Sequence, residues 1–298
     1  MLRLSVGLFG DIEIIEKLAN DLGRKGTEND IIIYNHNSSD AAMNFVFPKS
    51  DKIQSLLQAI AMIDIPVIIF DNVTPEVGEQ LVALDMFSFE KGFVISKNMG
   101  FLKGTSLEKY KIISQNELRE ELLKIYVERK DFPLRIPVDN YFDVRSVGFI
   151  VLGIIKSGSV KKFDKLIVEP LGKEVLVKSI QSNDKEIQYA EKGTRVGLNI
   201  KGIDSEEMKR GFVLCNGMKK TDKISSNLIR SRFCKEELRP GDQIHVLSDL
   251  FFTTGTIEKI SDDKITVLLQ REIPCEGMII FASTKSKLPR IVGKGFVA

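Results

Sequence analysis

The sequence predicts an α/β domain followed by two small antiparallel β-barrels. Strand-like and helix-like segments alternate through the first 130 residues, and short β-rich runs separated by turn residues fill the rest. The chain has 298 residues, of which 43% are hydrophobic, which is enough to fill two or three cores. We therefore expect three domains, comprising residues 1–130, 131–217 and 218–298.

The first domain alternates apolar strand runs with segments whose apolar residues recur at helical spacing. Such an alternation predicts a mostly parallel sheet, and sheets of this kind bind ligands beyond the carboxyl ends of their strands. The predicted strands are Leu4–Phe9, Asp30–Tyr34, Ile65–Phe70 and Lys91–Ser96, and the predicted helices are Ile12–Leu22, Ile53–Met62, Pro75–Met86 and 117–129.

Both barrels are predicted from short runs rich in β-branched and aromatic residues, bounded by Gly, Asp, Asn and Lys. The runs of the first barrel are Phe149–Ile155, Lys165–Val168, Val175–Val177, Arg195–Ile200 and Gly211–Leu214. Those of the second barrel are Ser225–Phe233, Asp242–Leu247, Thr253–Ile260, Lys264–Leu269 and Gly277–Ala282.

Composition narrows the class of function. No apolar run reaches the eighteen or so residues that cross a bilayer, and no signal-peptide pattern is present, so we expect a cytoplasmic protein without a membrane partner. Cys215, Cys234 and Cys275 are widely spaced and predict neither a disulfide framework nor a zinc site. His36 and His245 lie apart from any acid–cysteine constellation, so nothing supports nucleophilic or metal catalysis.

Charge is distributed unevenly along the chain. Residues 1–130 contain 15 Lys and Arg against 19 Asp and Glu, whereas 131–217 contain 14 against 12 and 218–298 contain 14 against 10. The net charges are therefore −4, +2 and +4. The mildly basic barrels are compatible with a polyanion such as RNA, and equally with an ordinary solvated surface.

Four motifs follow one another between Leu134 and Cys215. They are Pro137-Val-Asp-Asn-Tyr-Phe142, the pair Gly148 and Gly153, Gly193-Thr-Arg-Val-Gly197, and Arg210-Gly-Phe-Val-Leu214. In this order they resemble the second domain of EF-Tu and SelB-like translation elongation factors. Weaker segments extend the resemblance over the whole chain, nearest to archaeal SelB-like factors, including the factor associated with pyrrolysine. The resemblance implies a P-loop-GTPase-like α/β domain before two β-barrels.

The phosphate-binding loop of that family is altered here. The family carries G-x-x-x-x-G-K-[ST] after its first strand, where backbone N–H groups wrap the phosphates, the lysine neutralises them and the hydroxyl holds Mg²⁺. In this chain the corresponding segment keeps the first glycine, Gly10. It has Ile15, Glu16 and Lys17 in place of the second glycine, the lysine and the hydroxyl residue. Glu16 would repel a triphosphate.

The other nucleotide motifs are altered as well. The family's Asp-x-x-Gly segment falls near Asn44–Ser50, which has neither residue, and Asn-Lys-x-Asp appears as Ser96-Lys97-Asn98-Met99. Met99 cannot accept the guanine N–H groups that the family's aspartate accepts. We therefore expect a degenerate G domain that has lost GTP binding and hydrolysis, with no cofactor, no metal and no catalytic residue.

The resemblance also implies candidate RNA-binding residues. In EF-Tu-like factors the second domain holds the aminoacylated 3′ end of tRNA, which places Asp139, Asn140, Phe142, Gly148 and Arg195 in or near that pocket. Phe142 is either a stacking platform for a base or a core aromatic. Ser146 and Leu152 depart from the family pattern, and this puts aminoacyl-tRNA binding in doubt.

Basic residues of the third domain offer a second set of candidates. Arg230, Arg232, Lys285 and Arg290 either follow an RNA backbone or solvate strand edges. The leading hypothesis is a translation-factor-like protein that binds tRNA or another RNA, with the ribosome or a translation-related protein as further partners and no DNA. The alternatives are a protein-interaction scaffold, which would use the apolar residues Ile15, Met99, Phe101 and Leu102, and residual atypical nucleotide binding.

Overall fold

The structure of the protein, a computed structural model, describes residues 1–127, 132–285 and 287–297. These residues form a seven-stranded mixed sheet flanked by helices, a closed six-stranded barrel and a second barrel. The predicted order, an α/β domain followed by two antiparallel β-barrels, is confirmed. The predicted boundary between residues 130 and 131 lies outside the described residues. No helix within the described ranges is long and apolar enough to cross a membrane.

The α/β domain is built around a buried parallel core. Its strands lie in the order β2-β3-β4-β1-β5-β6-β7, with β4, β1, β5, β6 and β7 parallel and the β2–β3 hairpin antiparallel at one edge. The elements are β1 (Leu2–Gly10), α1 (Ile12–Leu22), β2 (Arg24–Glu28), β3 (Ile31–Asn37), β4 (Ala41–Pro48), α2 (Ile53–Ala61), β5 (Ile65–Ile69), α3 (Pro75–Phe87), β6 (Phe93–Ile95), β7 (Lys111–Ile112) and α4 (Leu118–Leu123).

Three strands of this sheet are not predicted from the sequence. β2 and β7 are exposed edge strands without apolar alternation, and β4 falls where the family motif was sought. The predicted helix over 117–129 is wrong beyond Leu123, and its last two residues lie outside the described part of the chain. Ile125 and Val127 instead pack against the sheet core. Both are β-branched residues of low helix propensity.

The first barrel closes on itself. Its strands follow the order β11-β16-β8-β9-β15-β12, and β12 pairs back to β11 to complete the ring. The elements are β8 (Arg135–Val144), β9 (Gly148–Ile154), β10 (Ser159–Lys161), β11 (Lys165–Glu169), β12 (Lys173–Ser182), β13 (Lys185–Ile187), β14 (Tyr189–Glu191), β15 (Arg195–Lys201) and β16 (Val213–Cys215).

The second barrel follows the order β17-β21-β20-β19-β22-β23-β18. The sheet returns on itself because only Leu228 separates β17 from β18, so the two edge strands are consecutive in the chain. The elements are β17 (Lys220–Asn227), β18 (Ile229–Arg230), β19 (Gln243–Ser248), β20 (Phe251–Ile260), β21 (Lys264–Pro274), β22 (Gly277–Ser283) and β23 (Ile291–Val297).

The three parts share their cores. One apolar cluster joins the two barrels, where the rings of Phe212 and Phe251 stack with centroids 5.9 Å apart. Another joins α2 and α3 to the second barrel, and within this contact the buried Gln58 amide donates to the carbonyl of Leu250 at 2.5 Å. The burial of apolar surface in these two clusters is the main interaction that stabilises the contacts between the three parts.

An ion pair links the α/β domain to the first barrel. Nη1 and Nη2 of Arg210 donate to the two oxygens of the Asp30 carboxylate, at 2.6 and 2.7 Å. This bidentate contact lowers the pKa of Asp30 to about 2. The Ser55 hydroxyl donates to the same carboxylate at 2.6 Å.

We expect the Arg210–Asp30 pair to make stability depend on acid pH. The pKa of Asp30 is lower in the folded than in the unfolded state, so its contribution is present above about pH 4 and is lost as the pH falls toward 2. Thermal unfolding at pH 5 and pH 3 should show a smaller drop in Tm for Asp30→Asn than for the unmodified protein. Equal drops would contradict this role.

Candidate functional site

The connection between β1 and α1 lies at the centre of the candidate site. β1 ends at Gly10 and α1 begins at Ile12, so Asp11 alone joins them. Gly10 has φ +126°, and a Cβ there would lie 1.8 Å from the carbonyl oxygen of Ile69, so only glycine fits. A one-residue connection leaves no loop that could surround a phosphate chain.

The backbone donors of this connection are already bonded. The N–H of Gly10 donates to the side-chain oxygen of Gln80 at 2.7 Å, and the N–H of Asp11 donates to Ile69 at 2.9 Å. The Asp11 carboxylate caps α1 by accepting from the N–H of Glu13 at 3.0 Å. A carboxylate therefore lies where an anionic ligand would meet the helix N-terminus.

The residues predicted to replace the phosphate motif do not lie in a loop. Ile15 is buried in α1, whereas Glu16 and Lys17 lie on the exposed face of the same helix. At the same carboxyl edge of the sheet, after β6, the Ser96 hydroxyl accepts from the N–H of Asn98. Met99 packs partly buried against the core shared with the second barrel.

A cavity of about 740 Å³ opens at the carboxyl end of β1. Five carboxylates and two cations line it: Asp11, Glu13, Asp51, Glu76 and Glu79 against Lys49 and Arg290. The pKa of Glu76 lies below its ordinary value because its carboxylate accepts from its own backbone N–H and from Thr74. An acidic lining of this kind disfavours a polyphosphate.

Arg290 of the second barrel reaches the wall of this cavity and pairs with Glu79 of α3. Its backbone N–H and Nε donate to Glu79 Oε1 at 2.7 and 3.0 Å, and Nη2 donates to Oε2 at 2.5 Å. Nη2 also donates to the carbonyl of Asp51 at 2.8 Å. The Glu79 side chain is only 4% exposed. Arg290, which was predicted to contact RNA, therefore forms an ion pair inside the protein.

Two residues of the predicted 3′-end pocket also pair with each other. Arg195 donates to both oxygens of Asp139, at 2.6 and 3.0 Å, and to the Thr27 hydroxyl of the α/β domain at 3.4 Å. The Asp139 side chain is 4% exposed. The structure therefore brings these two candidates together as an internal ion pair.

The other pocket candidates lie on the surface near the β8–β9 hairpin. Phe142 is 42% exposed, and its backbone pairs with Ile150 of β9. Asn140 accepts from the N–H of Tyr141 at 2.9 Å. Gly148 has φ +110° at the end of the hairpin, close to the Asn199 side chain.

The basic candidates of the second barrel differ in their surroundings. Arg232 lies over the Phe233 ring and donates to the carbonyl of Lys103 at 3.3 Å. Lys285 pairs with Glu236 at 2.6 Å. Arg230 is exposed and has no ion pair among the described residues. The structure therefore does not gather these cations into one free surface.

Comparison with known proteins identifies the family. The sequence profile described as Elongation factor Tu domain 2 matches residues 148–215. An uncharacterized protein of Methanocaldococcus jannaschii is 37% identical over 284 residues, covering 91% of each chain. The selenocysteine-specific elongation factor of the same organism is 28% identical over 261 residues, covering 74% of this chain and 56% of its own length. The chain belongs to the EF-Tu/SelB-like family of elongation factors.

Solved structures agree on the fold of this elongation-factor-like protein. The elongation factor SelB from Methanococcus maripaludis, in complex with the GTP analogue GppNHp, superposes with a TM-score of 0.82 and 20% sequence identity. The match covers 99% of this chain and 79% of that one. The apo form of SelB gives a TM-score of 0.81 at 22% identity. The likeness therefore includes the α/β domain as well as the barrels.

Sequence reasoning missed Glu79 and Gln80, which position the site from α3. Both lie one turn after the helix start, where Thr74 caps α3 and Pro75 occupies its first turn. Glu79 is a charged residue on a helix that is otherwise buried over most of its length. A carboxylate in a buried helix predicts an ion pair with a distant residue, because a buried charge needs a partner.

In this elongation-factor-like protein we expect Glu79→Gln to be strongly destabilising. The substitution leaves the Arg290 guanidinium without its counter-charge in a largely buried position, at a cost of about 3 kcal/mol. The free energy of unfolding from denaturant titration measures this cost. The matched control is Glu236→Gln, whose partner Lys285 is 66% exposed, and its expected cost is below about 1 kcal/mol. Equal costs would refute the assignment.

Proposed function

We propose that this elongation-factor-like protein is a cytoplasmic binding protein of the translation apparatus that works without a nucleotide switch. It has lost GTP binding and hydrolysis, and it recognises tRNA or another RNA. The observation that carries the proposal is the one-residue connection between β1 and α1, capped by Asp11. A translation GTPase needs a phosphate-wrapping loop at this point.

Electrostatics supports the loss of the nucleotide. Asp11 and Glu13 lie at the start of α1, and Glu76 and Glu79 lie in α3 across the cavity. A triphosphate entering here would meet four carboxylates besides Glu79, which pairs with Arg290, and the second lining cation, Lys49, pairs with Glu28. Without compensating cations such an approach is unfavourable. The protein therefore has no GTPase activity.

The barrels support RNA as the ligand. Residues 131–217 and 218–298 carry net charges of +2 and +4, opposite in sign to the α/β domain. The family resemblance implies that the first barrel holds the 3′ end of tRNA, and Phe142 remains exposed on that barrel. The ribosome or a translation-related protein is a further partner.

The loss of nucleotide binding is tested by thermal unfolding with GTP, GDP and ATP at millimolar concentration, each with Mg²⁺. A ligand at about 100 times its Kd would stabilise the fold by about 2.7 kcal/mol, so even weak binding is detectable as a rise in Tm. We expect no change. A guanine-specific rise would reinstate a nucleotide switch.

RNA binding is tested by measuring the affinity of the protein for total tRNA at 50 and 200 mM salt. We expect a Kd in the micromolar range or tighter that weakens steeply with salt, because phosphate contacts release counterions. Replacing Arg230, Arg232 and Lys285 together should weaken binding relative to the unmodified protein at the same salt concentration. Absence of binding by the unmodified protein at 50 mM salt would overturn the proposal.

An apolar groove favours a second candidate function, a protein-interaction scaffold. Ile15 and Leu102 are core residues, but Phe101 is 53% exposed and lines a groove of about 560 Å³ between α3 and the second barrel. Phe233, Leu81 and Leu288 line the same groove. A protein that copurifies after a high-salt wash and is lost on Phe101→Asp would favour this function over RNA binding.

A further inference from the structure

We propose that the first barrel carries a binding platform for unpaired RNA, formed by Phe163 and Tyr189 with the cations around them. The inference rests on the proposed function and names a site for it. The aromatic residues supply surfaces on which bases stack, and lysines supply contacts to the phosphates. This platform differs from the predicted 3′-end pocket in its position, since Phe142 lies in β8 whereas Phe163 lies in the turn between β10 and β11.

Phe163 has an unusual backbone conformation. Its φ is +73°, and it is the one aromatic residue with positive φ in the described ranges of the chain. Bulky residues are rare there because the Cβ approaches the following carbonyl, whereas glycine adopts this conformation freely. The turn is fixed by two hydrogen bonds, from the N–H of Phe163 to Val177 at 2.7 Å and from the N–H of Lys161 to the Asp164 carboxylate at 2.7 Å.

Folding alone does not explain a phenylalanine at this position. The Phe163 side chain is 68% exposed, so it buries little apolar surface in return for the strained backbone. Glycine would make the same turn without strain. A large exposed ring at a position suited to glycine therefore points to a role in binding.

The surroundings of Phe163 supply a second aromatic residue and several cations. Tyr189 is 47% exposed and lies directly opposite Lys161 in the pairing of β10 with β14. Lys162 Nζ lies 5.4 Å from the centre of the Phe163 ring and pairs with Glu186 at 2.9 Å. Lys178 follows Val177, whose carbonyl holds the turn, and is exposed.

This chemistry fits unpaired RNA better than a duplex. Lys161 and Lys178 are exposed and have no ion pair among the described residues, so both are available to phosphates. Aromatic faces flanked by cations are typical of single-stranded nucleic acid sites, because every base has a face that stacks. In a duplex those faces are already stacked on one another.

The experiment compares binding of a fluorescein-labelled 12-nucleotide oligouridylate by fluorescence anisotropy. We expect Phe163→Gly to weaken binding at least about fivefold, while its Tm stays equal or rises because the turn loses its strain. Phe163→Trp should retain binding. The control is Phe296→Ser, which removes another exposed aromatic residue, from the second barrel, and should leave the affinity unchanged.

The cations are tested through the salt dependence of the same binding. Replacing Lys161 and Lys178 by Gln should reduce the slope of log K against log salt by about 1.4, since each phosphate contact to a single strand contributes about 0.7. An unchanged affinity of Phe163→Gly, or a fall in its Tm, would overturn the platform. If the unmodified protein bound neither the oligonucleotide nor tRNA, the proposed function would fall with it.

Discussion

Four arginine–carboxylate pairs connect the three parts of this molecule. Arg3 with Glu191 and Arg210 with Asp30 join the α/β domain to the first barrel, Arg135 with Asp249 joins the barrels, and Arg290 with Glu79 joins the second barrel to α3. The guanidinium fork matches the carboxylate in Arg210–Asp30 and Arg290–Glu79, and breaking a pair is most costly at Glu79, whose side chain is buried. Together with the shared apolar cores, they fix how the barrels lie against the sheet.

This constraint bears directly on function. A ligand changes the arrangement of domains only to the extent that it binds one arrangement better than another. Here ion pairs within the chain stabilise the observed arrangement of the domains. One of their members, Arg290, lines the cavity at the end of β1. In this elongation-factor-like protein, the Arg290–Glu79 pair thus ties the second barrel to α3 beside that cavity.

The candidate site was only partly visible in the sequence. The altered residues Ile15, Glu16 and Lys17 stand out because the family motif assigns a role to each position, and the predicted helix over Ile12–Leu22, which contains them, is α1 in the structure. Asp139, Arg195 and Arg290 were predicted as RNA contacts, and in the structure each is paired inside the protein. The positive φ of Phe163 has no signature in a single sequence, because the turn that imposes it is set by contacts with β12.

The sequence by itself determined the class of the fold, the order of its parts and most of their elements, because helical and strand periodicities are local and the barrel motifs lie within about eighty residues. Strands β2 and β7 escaped it, since pairing with neighbours rather than residue pattern makes them strands. Strand β4 was missed although its Phe45-Val46-Phe47 run is β-rich and buried, because that segment was compared with a family motif instead. Only the tertiary structure decided which charges remain available for a partner. Glu79 and Arg290 are 211 positions apart, and nothing in the local sequence of either specifies that the folded chain brings them together.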